Sequence, residues 1–211
     1  MKKFFALFIF TMMITFASSP FAEHKVFWEV PKSYIVKDRE PHESPVKATL
    51  VANTKVDLYD KPEEKGANVI GTVQEGETVE RISCIVYTNP ALHPVKILRT
   101  FDVLSSADGE ETFTLQEGEY LYLVMYLGEG SVLGLYQGKE AWWLDMMSIK
   151  NFWGKADMPT AWGEYEGSPT NQGLSVNTWD CIKKADGTAG WTLSQKDGEF
   201  LDNFDIVGSP F

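Results

Sequence analysis

The sequence predicts an all-β body, a small barrel or sandwich, behind a removable N-terminal segment. Short β-branched and aromatic runs alternate with Gly, Pro, Asn and Asp, no stretch has a convincing helical period, and one five-residue motif occurs twice. At the start of the chain, Lys2 and Lys3 precede an almost unbroken apolar run from Phe4 to Ala17. Ser18, Ser19 and Pro20 follow, and the cut is placed after Ala22. That order of charge, apolar stretch and small residues is the layout of a secretory signal over residues 1–22. The competing reading, an uncleaved anchor, is disfavoured because the run is shorter than the roughly 20 apolar residues of a spanning helix. Pro20 is unusual so near a cut, so export is more firmly read than the cleavage position. No cysteine lies near the cut to carry a lipid, and no later stretch is long and apolar enough to span. The expected product is therefore periplasmic or secreted, without membrane insertion after cleavage.

Residues 23–45 read as a polar, proline-bearing leader in which Val26 to Val30 adds at most one edge strand. Beyond it, strands are predicted over Ala48–Val51, Val56–Tyr59, Val69–Val73, Thr78–Tyr87, Phe101–Leu104, Thr112–Leu115, Tyr120–Leu127, Val132–Tyr136 and Ala141–Leu144. Two more, Trp179–Lys184 and Gly190–Leu193, follow a long loop over 151–177 that is rich in Gly, Pro, Asn and Thr and carries Trp153, Trp162 and Tyr165. Val73-Gln74-Glu75-Gly76-Glu77 recurs as Leu115-Gln116-Glu117-Gly118-Glu119, each ahead of a strand. Gly138-Lys139-Glu140-Ala141-Trp142 matches Gly187-Thr188-Ala189-Gly190-Trp191 in form, a turn glycine followed by a strand tryptophan that would face a small core.

These residues resemble the bacterial SH3 domain. Val56-Asp57-Leu58-Tyr59 is similar to its opening strand, and Val69-Ile70-Gly71-Thr72-Val73-Gln74-Glu75-Gly76 to its middle turn. Gly138 to Trp143 and Gly187 to Thr192 are similar to its closing hairpin. The resemblance covers about half of the chain after residue 22, and its parts are unequally shared. The first module lacks a closing hairpin, whereas the second closing hairpin lacks an opening. Nesting resolves this: a first SH3-like barrel from 46–87 plus 178–205, with a second barrel, 100–150, inserted between its halves; a sequential arrangement is the alternative. In the family the strand after the middle turn pairs with the strand before the closing hairpin. Nesting therefore implies neighbouring strands for Cys84 and Cys181 and a disulfide between them, worth roughly 4–5 kcal/mol on chain-entropy grounds. Two buried thiols, or a bond between side-by-side domains, are the other readings.

Charge bounds the partners. The chain carries 19 Lys and Arg against 30 Asp and Glu, and loss of residues 1–22 would leave it near −13. Nucleic acid is excluded by that surface, and a basic protein partner is favoured. The motifs for chemistry are sparse. His24, His42 and His93 have no companion ligands at metal spacing and are expected exposed, so neither metal nor cofactor is expected. A Cys84–His93 nucleophile pair is disfavoured by the apolar strand around Cys84. Glu164 and Glu166, flanking Tyr165, have the spacing of paired acids on a sugar but equally that of a solvated edge. No catalytic residue is assigned.

Seven tryptophans exceed what two small barrels need. Trp142, Trp179 and Trp191 have core roles implied by the resemblance. Trp143 stands where the family usually has valine, on the face opposite Trp142. Trp143, Trp153, Trp162 and Tyr165 are the candidate ligand-binding residues, an aromatic groove for a peptide or glycan, unless the loop folds back as a packed cap. The resemblance implies a non-catalytic envelope binder of peptidoglycan or an envelope protein. The acidic charge suggests instead an inhibitor or immunity-like protein for a basic secreted enzyme, and a wall hydrolase with an unrecognised site is the third reading.

Overall fold

The computed structural model of this protein describes residues 28–39, 45–109, 111–152, 159–167, 174 and 176–208. The expected signal segment, His24, His42 and Trp153 lie outside them. The described chain is all-β, and its only helical pieces are two single 3-10 turns, at Pro90–Leu92 and Met146–Ser148. No helix among the described residues is long and apolar enough to cross a membrane.

In chain order the strands are β1 (Tyr34–Lys37), β2 (Ala48–Ala52), β3 (Val56–Tyr59), β4 (Val69–Val73), β5 (Thr78–Thr88) and β6 (Pro94–Ile97). Next come β7 (Phe101–Leu104), β8 (Thr112–Leu115), β9 (Tyr120–Gly128), β10 (Ser131–Tyr136), β11 (Lys139–Asp145) and β12 (Ile149–Lys150). Last are β13 (Gly163–Tyr165), β14 (Val176–Lys183), β15 (Ala189–Lys196), β16 (Glu199–Phe200) and β17 (Phe204–Gly208). They form two sheets. The first runs β17-β2-β5-β14-β15-β3-β4, with β1 on β5 and β16 on β15; the second runs β12-β13-β6-β9-β10-β11-β7-β8.

Apart from β1, β16 and β12, one seven-strand order occurs twice. Strands β2, β3, β4, β5, β14, β15 and β17 are joined as β6, β7, β8, β9, β10, β11 and β13 are, by antiparallel pairings throughout. The whole second set lies in sequence between β5 and β14 of the first. The repeated motif explains the repeated geometry. Gly76 and Gly118 sit at φ +77° and +83°, the left-handed region that a turn can use cheaply only with glycine. Gly76 N–H donates to Ala52 O (2.8 Å), Ala52 N–H to Glu77 O (3.1 Å) and Glu77 N–H to Gln74 O (3.0 Å). The second turn makes the same three bonds: Gly118 to Ile97 (2.8 Å), Ile97 to Glu119 (2.8 Å) and Glu119 to Gln116 (3.2 Å). The two hairpin tryptophans are also equivalent, Trp191 opposite Tyr59 and Trp142 opposite Leu104, each at the end of its opening strand.

Alternating apolar positions of the first sheet close a small core around Leu50, Leu58, Val73, Val79 and Ile182. A larger core fills the second sheet around Leu121, Leu123, Met125, Leu133 and Leu135, and it continues into the first sheet through Val36, Val86 and Val176. Thr88 Oγ1 donates across this boundary to Val124 O at 2.8 Å. The leader also bridges the sheets, because β1 pairs with β5 while the Tyr34 hydroxyl donates to Glu140 of β11 at 2.6 Å.

Several expectations are corrected. Of the predicted edge piece Val26–Val30, the described residues Trp28–Val30 are not in a strand, and Val26 and Phe27 lie outside the described residues. Pro31, which has no N–H to donate, follows, and the pairing of the leader starts at Tyr34. The 151–177 segment is not all loop, since β13 inside it pairs with β6 and β12. Cys84 and Cys181 do lie on neighbouring strands, but no disulfide joins them. Cys84 is opposite Asp180, and Cys181 is opposite Ser83. An offset of one residue in a period-two strand sends the two thiols to opposite faces of the sheet, Cys84 into the core and Cys181 outward.

Candidate functional site

The repeat makes one local departure conspicuous. In the first sheet, the step from the pair Ile182–Gly190 to the pair Asp180–Thr192 takes two residues on each strand. At the matching place in the second sheet, from Gly134–Ala141 to Val132–Leu144, β10 advances two residues and β11 three. β11 therefore carries a bulge, one residue more than its counterpart, and the bulge falls at Trp142 and Trp143. Trp143 sits at φ +56°, a conformation unfavourable for any bulky side chain.

The bulge re-aims the second ring. Trp142 is buried, whereas Trp143 is 44 % exposed. The rings lie 6.5 Å apart at 51°, and both border one groove, so Trp143 is not on the opposite face from Trp142 as a regular strand would have it. The Trp143 indole N–H donates to Ala107 O at 3.2 Å, which fixes the part-exposed ring. The groove, about 330 Å³, lies where β7 and β11 splay apart beyond their single pairing at Trp142 and Leu104. Phe101, Trp142, Trp143 and Trp162 supply its aromatic wall, and Arg99, Asp102 and Asp145 its charges.

Other predicted residues take different parts. Trp162 is 3 % exposed. Its N–H donates to Asp145 O at 2.7 Å and its ring packs 5.5 Å from Phe101, so it forms the floor of the groove rather than an open face. The first sheet has a polar counterpart, because Asn203 Nδ2 donates to Leu193 O at 2.9 Å. Both residues also share a main-chain bond, from Leu98 N–H to Trp162 O and from Asn53 N–H to Asn203 O. Tyr165 is buried on the core side against Phe152, ring centroids 5.0 Å apart. Trp153 lies outside the described residues.

His93 is buried, not exposed. The Pro90–Leu92 turn folds it inward, where Nδ1 lies 3.1 Å from the Tyr165 hydroxyl. Burial lowers its pKa to about 4 and raises that of Tyr165. Among the described residues His93 Nε2 and Asn89 Oδ1 have no hydrogen-bond partner. Cys84 is packed in the core, and Cys181 has its pKa raised by burial and by Asp180, the opposite of an activated thiol. The paired acids are held by neighbours. Glu164 accepts from Asn151 (3.0 Å) and lies 3.4 Å from Lys150 Nζ, while Glu166 accepts from the Tyr120 hydroxyl (2.8 Å). Among the described residues no three His, Cys, Asp or Glu cluster as metal ligands.

Fold and site together define an all-β protein with a repeated seven-strand sheet and one aromatic groove built by a bulge. Comparison with protein-family models, curated protein sequences and solved structures found no match to this chain.

The excess of tryptophans over the core's needs singled out Trp143 as a candidate, and the structure leaves it part-exposed on the groove. Sequence reasoning missed the bulge, which has no composition signal. Arg99, Asp102 and Asp145 were also missed, because only the splay of β7 from β11 brings them to the ring.

Proposed function

We propose that this chain is an exported, non-catalytic binding protein of the bacterial cell envelope, with two SH3-like modules, the second nested in the first. The second engages peptidoglycan or an envelope protein at the Trp143 groove. The observation that carries this reading is Trp143 itself: an added residue, in a costly backbone conformation, whose ring is turned toward solvent. Strain of that kind persists where the surrounding structure enforces it, and it collects at working sites. The twice-used strand order supports the modular part, and the lysine-led apolar segment at residues 2–17 supports export.

The test uses residues 23–211, purified and incubated with isolated peptidoglycan and with an envelope extract over a range of salt. Retention on the wall at high salt, lost in Trp143→Ala, is the expected result. Salt-labile capture of a single basic protein instead selects the second reading, an acidic inhibitor-like protein, which Asp102 and Asp145 on the groove lining favour. Binding to either that is unaffected by Trp143→Ala overturns the assignment of the groove.

A further inference from the structure

We infer that the Trp143 groove takes a single cationic side chain, an arginine above all, presented by an extended segment of a partner protein. This rests on the reading of the groove as the binding site and names its occupant. The electron-rich face of an indole attracts cations, and arginine stacks on it best. The protein already makes such a contact beside the groove, where the Arg39 guanidinium lies 4.6 Å from the centre of the Trp142 ring. Arg39 is not part of the groove lining, and among the described residues no cation stacks on the neighbouring Trp143 ring.

The flanking charges choose between a cation and a neutral ligand. Asp102 uses Oδ1 to accept from Thr114 Oγ1 at 2.6 Å, and its Oδ2 accepts nothing from the described residues. Asp145 accepts from Met147 N–H at 2.9 Å and from Ser148 Oγ at 2.5 Å. A neutral ligand laid over this wall strips water from carboxylates and returns no charge, whereas a guanidinium brings a compensating one. Among the described residues Arg99 is the only base on the lining, and it repels a second cation. The groove is therefore built for one basic residue among uncharged neighbours and not for a polybasic run. The overall excess of acids brings such a partner in from a distance.

The experiment titrates residues 23–211 with the blocked peptide acetyl-Ala-Gly-Arg-Gly-Ala-amide and with its citrulline counterpart, which keeps the shape of arginine without the charge. Chemical shifts of the tryptophan indole protons report binding. Saturable binding of the arginine peptide is expected, weakened about 2- to 30-fold by citrulline, with affinity falling in the order Trp143, Trp143→Phe, Trp143→Ala. Asp102→Asn is expected to weaken the arginine peptide and to leave the citrulline peptide unchanged. Near-ultraviolet circular dichroism checks that each variant is folded, and the Phe variant keeps the comparison open if the Ala variant is not. Equal binding of the two peptides, or binding indifferent to Asp102→Asn, overturns the inference. No binding of either peptide, while peptidoglycan or an envelope protein is still held through Trp143, overturns the inference and leaves the groove assignment standing. Peptide binding that ignores Trp143 overturns both.

Discussion

Replacing Trp143 by glycine and by alanine separates the backbone cost of the bulge from the worth of the ring. Both variants lose the indole, its packing on Trp142 and its bond to Ala107, so those losses cancel between them. What differs is the backbone. At φ +56° an L-residue carries a penalty of roughly 1–2 kcal/mol that glycine escapes. At an ordinary strand position the order is reversed, glycine being about 0.5–1 kcal/mol worse than alanine because it loses more freedom on folding. The net expectation is that Trp143→Gly is more stable than Trp143→Ala by about 1 kcal/mol, or about 2–4 °C in Tm for a chain of this size. Trp143→Val is expected to fall below both, because a β-branched side chain fits the left-handed region worst. Urea unfolding followed by far-ultraviolet circular dichroism, with m held common, measures the differences. A result with alanine at least as stable as glycine would falsify the claim that this residue is strained.

Three further expectations concern the core. His93, neutral and buried with a pKa near 4 against about 6.5 in the unfolded chain, contributes stability that is fully present above pH 6.5 and is lost as pH falls toward 4. The loss relative to His93→Gln should reach about 3 kcal/mol over that window in urea titrations, and parallel pH profiles of the two proteins would count against it. Arg81 and Asp180 form a buried ion pair at 3.3 Å, with Arg81 also donating to Val46 O and Pro45 O. Asp180→Ala is expected to cost about 3–5 kcal/mol, and Arg81→Met with Asp180→Leu to restore most of it; a double variant no better than the single one refutes this. Both cysteine thiols are expected to react with a thiol reagent in denaturant without reductant, because their register keeps them on opposite faces. Absence of reactive thiol would show a disulfide.

Much of the fold was legible because glycine and tryptophan have narrow uses here. Gly76 and Gly118 mark turns that need positive φ, and Trp142 and Trp191 mark the hairpins that follow, so the repeat could be read from four residues. Strands β3, β4, β7 and β8 were predicted to the residue, since each lies between strong turn signals. Register was not legible. Whether Cys84 faces Cys181 or Asp180 depends on one residue, and a bulge beside Ile82 in β5 shifts the ladder there without any mark in composition. The inward turn of His93 was hidden for a related reason. A Pro90-Ala91-Leu92 turn is equally at home on the surface, and the partner of the ring, Tyr165, lies far along the chain. β13 has too few residues to show a period.

The placing of β14 next to β5 has a consequence for the order in which the chain can assemble. The long pairing from Val176–Thr88 to Lys183–Glu80 joins segments separated by the whole second sheet. On emerging from a ribosome or a translocation channel, β1 to β5 lack the neighbours that close their core. The second sheet has all of its own strands as soon as residue 165 is out, and by completing itself it shortens the gap between the ends of the first. Pairings so distant in sequence pass through a slow, loop-closing step. Maturation of this protein is therefore expected to begin in its middle and to finish at its two ends, with the N-terminal half held open until the last strands arrive.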